Sequence, residues 1–462
     1  MLNKVIEWID DKTGLVKSIK PLISHPVPPD AKWYYVFGSA TFFCFILQVV
    51  TGIALAFLYQ PSTTTAYESL KFITDGPRWA HFLRGIHYFG ASGMILLVGI
   101  HMIRVYLTAS FKYPRELSWI TGSILLLLTV TMGFTGQLLR WDSNGVWSAI
   151  VGAEQVGRVP FFGKPFARMF LGGETLTGLT VMRFFSIHVF LIPALLFGLI
   201  GLHLSMVIRN GISEPPKAGR KVDPKTYRKW YHDQLDLKGV PFWPNAGWRD
   251  LTFGLLAIGA IILLAVVKGP PAIGKPPDIA DIYANPRPDW YFMWVFALFA
   301  LMPRGIETFA MAFSPVFLVL VLILLPLINN RGERSPLRRP WSIAIITIVV
   351  IMVGSLWVIG VKSPWSPAFN TKPLPREVIG NVSPEARVGG GLFFTKACIY
   401  CHTISGNGGK RGPDLTHVAD RITADQITIR IVNGAHNMPA FGGTLTAIDL
   451  NDLVKFLETR HR

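Results

Sequence analysis

Four histidines pose the first chemical question. His87 and His101 lie in the apolar stretch FLRGIHYFGASGMILLVGIHMIRVY, residues 82–106. His188 and His203 lie in FFSIHVFLIPALLFGLIGLHLSMVI, residues 184–208. Each stretch is long enough to cross a bilayer as one helix. The separations, fourteen and fifteen residues, straddle four helical turns (about 14.4 residues at ~3.6 per turn). Each helix then shows two imidazoles on nearly one face, about 21 Å apart at ~1.5 Å per residue. Ligating side chains are costly inside a spanning helix, so their presence points to function. Two such helices face to face can grip two flat cofactors stacked along the membrane normal. Bis-imidazole haem is the natural candidate, its iron taking one neutral imidazole from each helix. One such histidine alone would read as a satisfied group in helix packing; two pairs at matching spacing carry more.

Glycines repeat the interval. Gly38 and Gly52 in one apolar stretch, and Gly122 and Gly136 in another, are each fourteen apart. Glycine lets a flat macrocycle approach a helix backbone, although small residues also serve ordinary packing between membrane helices. A second constellation, Cys398–Ile399–Tyr400–Cys401–His402, has the spacing that attaches c-type haem. The thiols add to the vinyl groups and His402 ligates the iron. A zinc half-site would need a second ligand pair and a redox dithiol a βαβ context, and neither is visible. The sixth ligand is expected from Met438 in HNMPAF, with His417 and His436 as alternatives. A third constellation is Pro288–Asp289–Trp290–Tyr291. Asp289, with Tyr291 nearby, could take a proton from a bound hydroxyl. A plain helix N-terminus would also account for Pro followed by Asp.

The elements that must position these residues are mostly membrane helices. Half of the 462 residues are hydrophobic, and several runs of about 20 residues are nearly charge-free, which describes a polytopic membrane protein. The first 23 residues mix Lys with Val5, Ile6, Trp8 and Ile9 and read as an amphipathic helix on the lipid surface rather than a cleaved signal. Seven spans are predicted near 34–58, 82–106, 117–138, 184–208, 250–267, 311–328 and 341–361. Lys4, Lys12, Lys17, Lys20 and Lys32 precede the first. Lys112 and Arg115 follow the second, Arg209 to Lys229 the fourth, and Arg331 to Arg339 the sixth. Alternating spans place all of these on one side, which the positive-inside rule makes cytoplasmic. The formal charge of +17 is thereby assigned to membrane topology rather than to nucleic acid. Three cysteines imply no disulfide framework. The second and fourth spans run parallel, pairing His87 with His188 near the outer face and His101 with His203 near the cytoplasm. Residues 139–183 are too polar to span and are expected as short helices on the outer face. Residues 362–384 read as a Pro-rich linker, and beyond it the composition becomes that of a small soluble domain.

Together these residues resemble the cytochrome b of quinol–cytochrome c oxidoreductases (cytochrome bc complexes), joined to a class I cytochrome c. The features that carry the likeness are the two histidine ladders, the four spaced glycines and PDWY. The fifteen-residue step from His188 to His203 is similar to the plastoquinol-type and Gram-positive branch, in which a four-span cytochrome b and a three-span subunit IV are separate chains. Here they look fused. The resemblance implies an all-α polytopic membrane protein: a four-helix dihaem bundle over 1–210, a subunit IV-like three-helix part over 211–361, the linker 362–384, and an all-α cytochrome c domain over 385–462. It further implies a covalent third haem at Cys44 on the cytoplasmic side, haem-propionate partners in Arg84 and Arg183, and a place for Arg209 in a cytoplasmic quinone pocket. Tyr88 and Arg140 depart from the branch, which usually has Arg and Pro there, and Asp289 replaces the commoner Glu.

The expected activity is quinol oxidation at the outer face between PDWY and the 139–183 segment, in a bacterial cytoplasmic membrane. One electron would pass to an iron–sulfur protein and the haem at His402, the other through the two b haems to an inner quinone. PDWY tends to accompany menaquinol. The resemblance also implies a Rieske protein on a separate chain, a soluble cytochrome c or similar acceptor, and a homodimer. The alternatives are a dihaem anchor that passes electrons between a dehydrogenase and quinone without bifurcation, and a plain electron carrier.

Overall fold

The computed structural model describes residues 2–278, 286–362, 368, 370–434 and 438–462. Among them, seven helices are long and apolar enough to span: Phe37–Ala56, Arg78–Leu107, Glu116–Leu138, Gly178–Asn210, Gly247–Val267, Ile306–Ile328 and Pro340–Lys362. All seven predicted stretches are present. The second span starts about a turn earlier than predicted, at Arg78, whose long side chain can reach the interface. The outward faces carry Val50, Phe57, Leu256, Phe317 and Ile348, all exposed, as lipid-facing helices require. Among the described residues the strands form three two-residue ladders, and the fold is all-α.

The chain forms two compact units, neither contiguous in sequence. The first comprises residues 1–139, 181–273 and 313–352. Its centre is the bundle of the first four spans, and the fifth packs against the first and second. A Cβ on Gly254 would fall 2.5 Å from Phe43, and one on Gly85 3.2 Å from Ala265. The fourth span is interrupted by a π-bulge at Ile187–Leu191, just ahead of Pro193, whose missing N–H cannot close a regular helical bond. Several of the basic residues that marked one side of the membrane prove to be buried there. Lys112, Arg115 and Arg334 knit the loops together: Lys112 Nζ donates to Asn329 O at 3.1 Å, and Arg334 pairs with Glu214. The strand pair Lys221–Val222 with Gly332–Glu333 joins the same loops.

The second unit comprises residues 140–180, 274–312 and 353–462. The 139–183 segment supplies two surface helices, Ser143–Gly157 and Gly163–Leu171, as expected. The C-terminal domain packs helices Pro384–Thr395, Ala424–Asn433 and Ala447–Glu458 around Phe393, Ile399, Leu453 and Phe456. Its first and last helices cross so closely that a Cβ on Gly389 would meet the Asp452 carbonyl. The predicted linker is shorter than 362–384. Leu374 is buried in the core of this domain, and Arg460 holds the carbonyls of Val378 and Ile379 at 2.7 and 3.0 Å.

Candidate redox centres

In the first unit the imidazoles of His87 and His188 face each other with ring centroids 6.4 Å apart and planes at 73°. Two imidazoles on one metal, each bound at about 2.0–2.1 Å, place their ring centres roughly 6 Å apart; the gap fits a single iron. The π-bulge explains the unequal spacing. It takes up one extra residue beside His188, so fifteen residues on the fourth span match fourteen on the second.

Each of the four glycines stands behind one histidine. Cβ atoms on Gly38 and Gly52 would approach His101 and His87 to 2.9 and 3.3 Å, and on Gly122 and Gly136 would approach His203 and His188 to 3.3 and 2.8 Å. The glycines thus make room for the imidazole rings. Thr51, Thr121 and Thr135 contact Nδ1 of His87, His203 and His188 at 2.9, 3.0 and 3.0 Å. Each threonine hydroxyl donates to a carbonyl in its own helix, Leu47 O, Leu117 O or Met132 O, so it must accept from the imidazole N–H. That fixes the tautomer with Nε2 bare, the form that binds a metal.

The Cys-x-x-Cys-His segment lines an apolar cavity of about 490 Å³. Cys398, His402 and Met438 all face into it, and Leu415, Ile431 and Leu453 complete its walls. His402 Nδ1 lies 2.9 Å from Pro413 O; the carbonyl can only accept, so Nε2 again is left for iron. Gly412 backs this ring as well, 2.6 Å from where its Cβ would stand. Burial pushes the Cys398 thiol up to about 12 and raises that of Cys401, the reverse of a reactive dithiol. Among the described residues no three His, Cys, Asp or Glu side chains converge as a metal cluster. Of the alternative sixth ligands, His417 is not part of the cavity wall, and His436 lies outside the described residues.

Still in the second unit, Asp289 precedes the turn Trp290–Phe292 without capping it by its side chain. Its Oδ2 accepts from Tyr291 Oη at 3.2 Å. The surface helix Ser143–Gly157 is fastened to the same loop. Asp142 Oδ2 accepts from Gly274 N at 2.9 Å, Lys275 O from Ser143 N at 3.0 Å, and Asn144 Oδ1 from Arg287 N at 3.4 Å. PDWY and the 139–183 segment therefore form one wall.

Comparison with known proteins agrees with this geometry. Residues 22–211 match the family model described as cytochrome b/b6/petB, 279–373 the cytochrome b (C-terminal)/b6/petD model, and 385–457 that of cytochrome c oxidase, cbb3-type, subunit III. Cytochrome b6 of Synechococcus sp. (strain JA-3-3Ab) is 36% identical over 214 residues, 46% of this chain and 100% of the relative. Cytochrome b6 of Heliobacterium modesticaldum (strain ATCC 51547 / Ice1) is 37% identical over 212 residues, again 46% and 100%. The chain belongs to the cytochrome b/b6 family. A solved structure titled hyperthermophilic respiratory Complex III is similar with a TM-score of 0.67 and 26% identity, covering 78% of this chain and 92% of that one. The chain is thus a multi-pass membrane subunit of a bc-type redox enzyme, a cytochrome b/b6 fused to a subunit IV-like part and a C-terminal cytochrome c domain. These families carry two b haems and one c haem.

Other residues singled out in the sequence fare differently. Cys44 is fully buried against Gly93 of the second span, 3.9 Å from its would-be Cβ. It stands six residues deeper than Gly38, about 9 Å along the helix, in close helix packing. The resemblance implies a covalent haem at this thiol. Arg84 Nη1 ties Thr74 Oγ1 and Pro271 O, both at 2.9 Å. Arg183 is half-buried early in the fourth span, and Arg209 is exposed at its end. Arg140 pairs with buried Asp142 at 2.6 Å. Two residues of this family member went unread. Arg104, one turn beyond His101, lies 3.8 Å over the Tyr35 ring with Nε and Nη2 buried and unpartnered. Asp250 shares a hydrogen bond with Ser39, beside Gly38. An Arg one turn past a ligand histidine was the signal available for the first; nothing local marks the second.

Proposed function

We propose that this chain is the cytochrome b/c subunit of a quinol–cytochrome c oxidoreductase. The observation that carries the reading is the two-level ladder, in which every histidine is seated on a glycine and three of the four are locked in the metal-binding tautomer. His87 with His188, and His101 with His203, would hold the two b haems; Cys398, Cys401, His402 and Met438 would hold a c-type haem, and Cys44 would attach a further covalent one. When bound, these haems are the one-electron carriers that split a quinol's two electrons between two routes.

The chain's own residues supply orientation and proton handling. Asp289, poised by the Tyr291 hydroxyl, accepts a proton from quinol held against the Ser143–Gly157 helix and releases it outside. At the other end, Arg104 presents its unpartnered donors to a haem carboxylate, and Asp250 returns a proton to a reduced quinone. Arg183 remains a candidate carboxylate partner at the outer level. The basic loops place the N-terminus in the bacterial cytoplasm and the cytochrome c domain outside. A Rieske protein on another chain, a soluble cytochrome c acceptor, menaquinol as substrate and a homodimer complete the proposal.

Purified complex should reduce soluble cytochrome c with quinol, and an outer-site inhibitor should abolish this. A dihaem anchor or simple carrier would show no such activity, and that result would remove the reading. A pyridine haemochrome and haem-stained gel should find two extractable haems and two covalent haems per chain.

A further inference from the structure

Three of the four seated histidines share a detail that the fourth lacks. Thr51, Thr121 and Thr135 each immediately precede the glycine behind the opposing ring, and each accepts the Nδ1–H of that ring. At the fourth position the residue before Gly38 is Phe37, and His101 Nδ1 is buried with no partner. The backbone is not the cause. A Cβ on Gly38 would lie 2.9 Å from His101 Cε1, much as one on Gly136 would lie 2.8 Å from His188 Cε1. A threonine at position 37 would therefore hold its hydroxyl where the other three hold theirs. Phe37 instead turns its ring onto Phe253, edge to face with centroids 5.6 Å apart.

An unpaired ring nitrogen in a buried site is a cost that natural structures rarely carry. A hydrogen bond from Nδ1–H pushes electron density onto Nε2 and favours the more positive, oxidised metal. Resting on the bis-imidazole reading above, we propose that the threonines are positioning residues which tune each b haem through its histidine. The absence of one at Phe37 then makes the His101/His203 haem the easier of the two to reduce. The outer pair carries two such bonds and the inner pair one, so the asymmetry drives an electron inward. One net hydrogen bond is worth roughly a three- to tenfold change in an equilibrium, tenfold being ~59 mV for one electron.

The test is optical redox potentiometry on the purified complex, the inner haem being identified as the signal lost in His101→Leu. Phe37→Thr should lower the inner midpoint by roughly three- to tenfold in equilibrium constant. Phe37→Val, which loses the same packing but has no hydroxyl, should not. Thr51→Val should raise the outer midpoint and Thr51→Ser should leave it near the parent value, a pair that tests the same bond without touching Phe37. Equal inner midpoints in Phe37→Thr and Phe37→Val, or an unmoved outer midpoint in Thr51→Val, would overturn the inference while leaving haem binding intact. A complex without two extractable haems would instead remove the reading on which it rests.

Discussion

Asp289 shows how little of a site needs to be unusual for chemistry to follow. Its carboxylate is held by a neighbour two residues along, Tyr291, and not by the helix it precedes. Replacing it with Asn keeps the shape and removes the proton acceptor. Asp289→Asn should slow quinol-dependent cytochrome c reduction by about a hundredfold or more, within the range for loss of a general base, with unchanged haem content. Asp289→Glu should retain most of the rate. Cys44 gives the opposite lesson. It is six residues from Gly38, which on a regular helix turns it about 240° away from the stripe shared by Gly38 and Gly52. A thiol off that stripe does not serve the two-level ladder, and the resemblance gives it a covalent haem of its own. Cys44→Ala should roughly halve the haem stain of the chain on a denaturing gel; an unchanged stain would show that the sulfur attaches none.

At the scale of elements, the spans were legible because lipid demands long apolar helices, and the ladders were legible because ligands at two depths must repeat every four turns. The π-bulge was only half visible, as a fifteen where a fourteen was wanted. What fixes PDWY in place was not visible at all, because its partners are distant in sequence. Arg287 Nη1 donates to Gly360 O and Val361 O at 2.6 and 2.5 Å, so a cation closes the C-terminal end of the seventh span, where the helix dipole favours it. Gly360 lets that span approach the turn after the motif; its Cβ would fall 2.6 Å from Met293 Cγ and Met293 O. Arg287→Ala and Gly360→Ala should each lower turnover several-fold with both b haems present. Because they disturb one contact, the double variant should be little worse than the poorer single, measured as kcat of quinol-dependent cytochrome c reduction. Strictly additive losses would show that the two act separately.

At the scale of the whole chain, the curated relatives end where the fused part begins, since they cover 46% of it. The join is secured inside the first unit by contacts no sequence pattern announces. Arg334, from the loop between the sixth and seventh spans, pairs with Glu214, which also accepts from Tyr227 Oη at 2.6 Å; Tyr227 in turn accepts from Arg115 Nη1 at 3.2 Å. The two charged side chains are only 4% and 13% exposed. A pair this buried is costly to break from one side, because the remaining charge loses its counter-ion without regaining water. Arg334→Met should therefore destabilise the folded subunit by about 3–5 kcal/mol. Arg334→Met combined with Glu214→Leu should recover much of that, because no unpaired charge remains. Thermal release of the extractable haems from detergent-solubilised complex would read both. If the single and double variants fell equally, the pair would be holding the join through its charges as such, and the cost would not lie in the orphaned carboxylate.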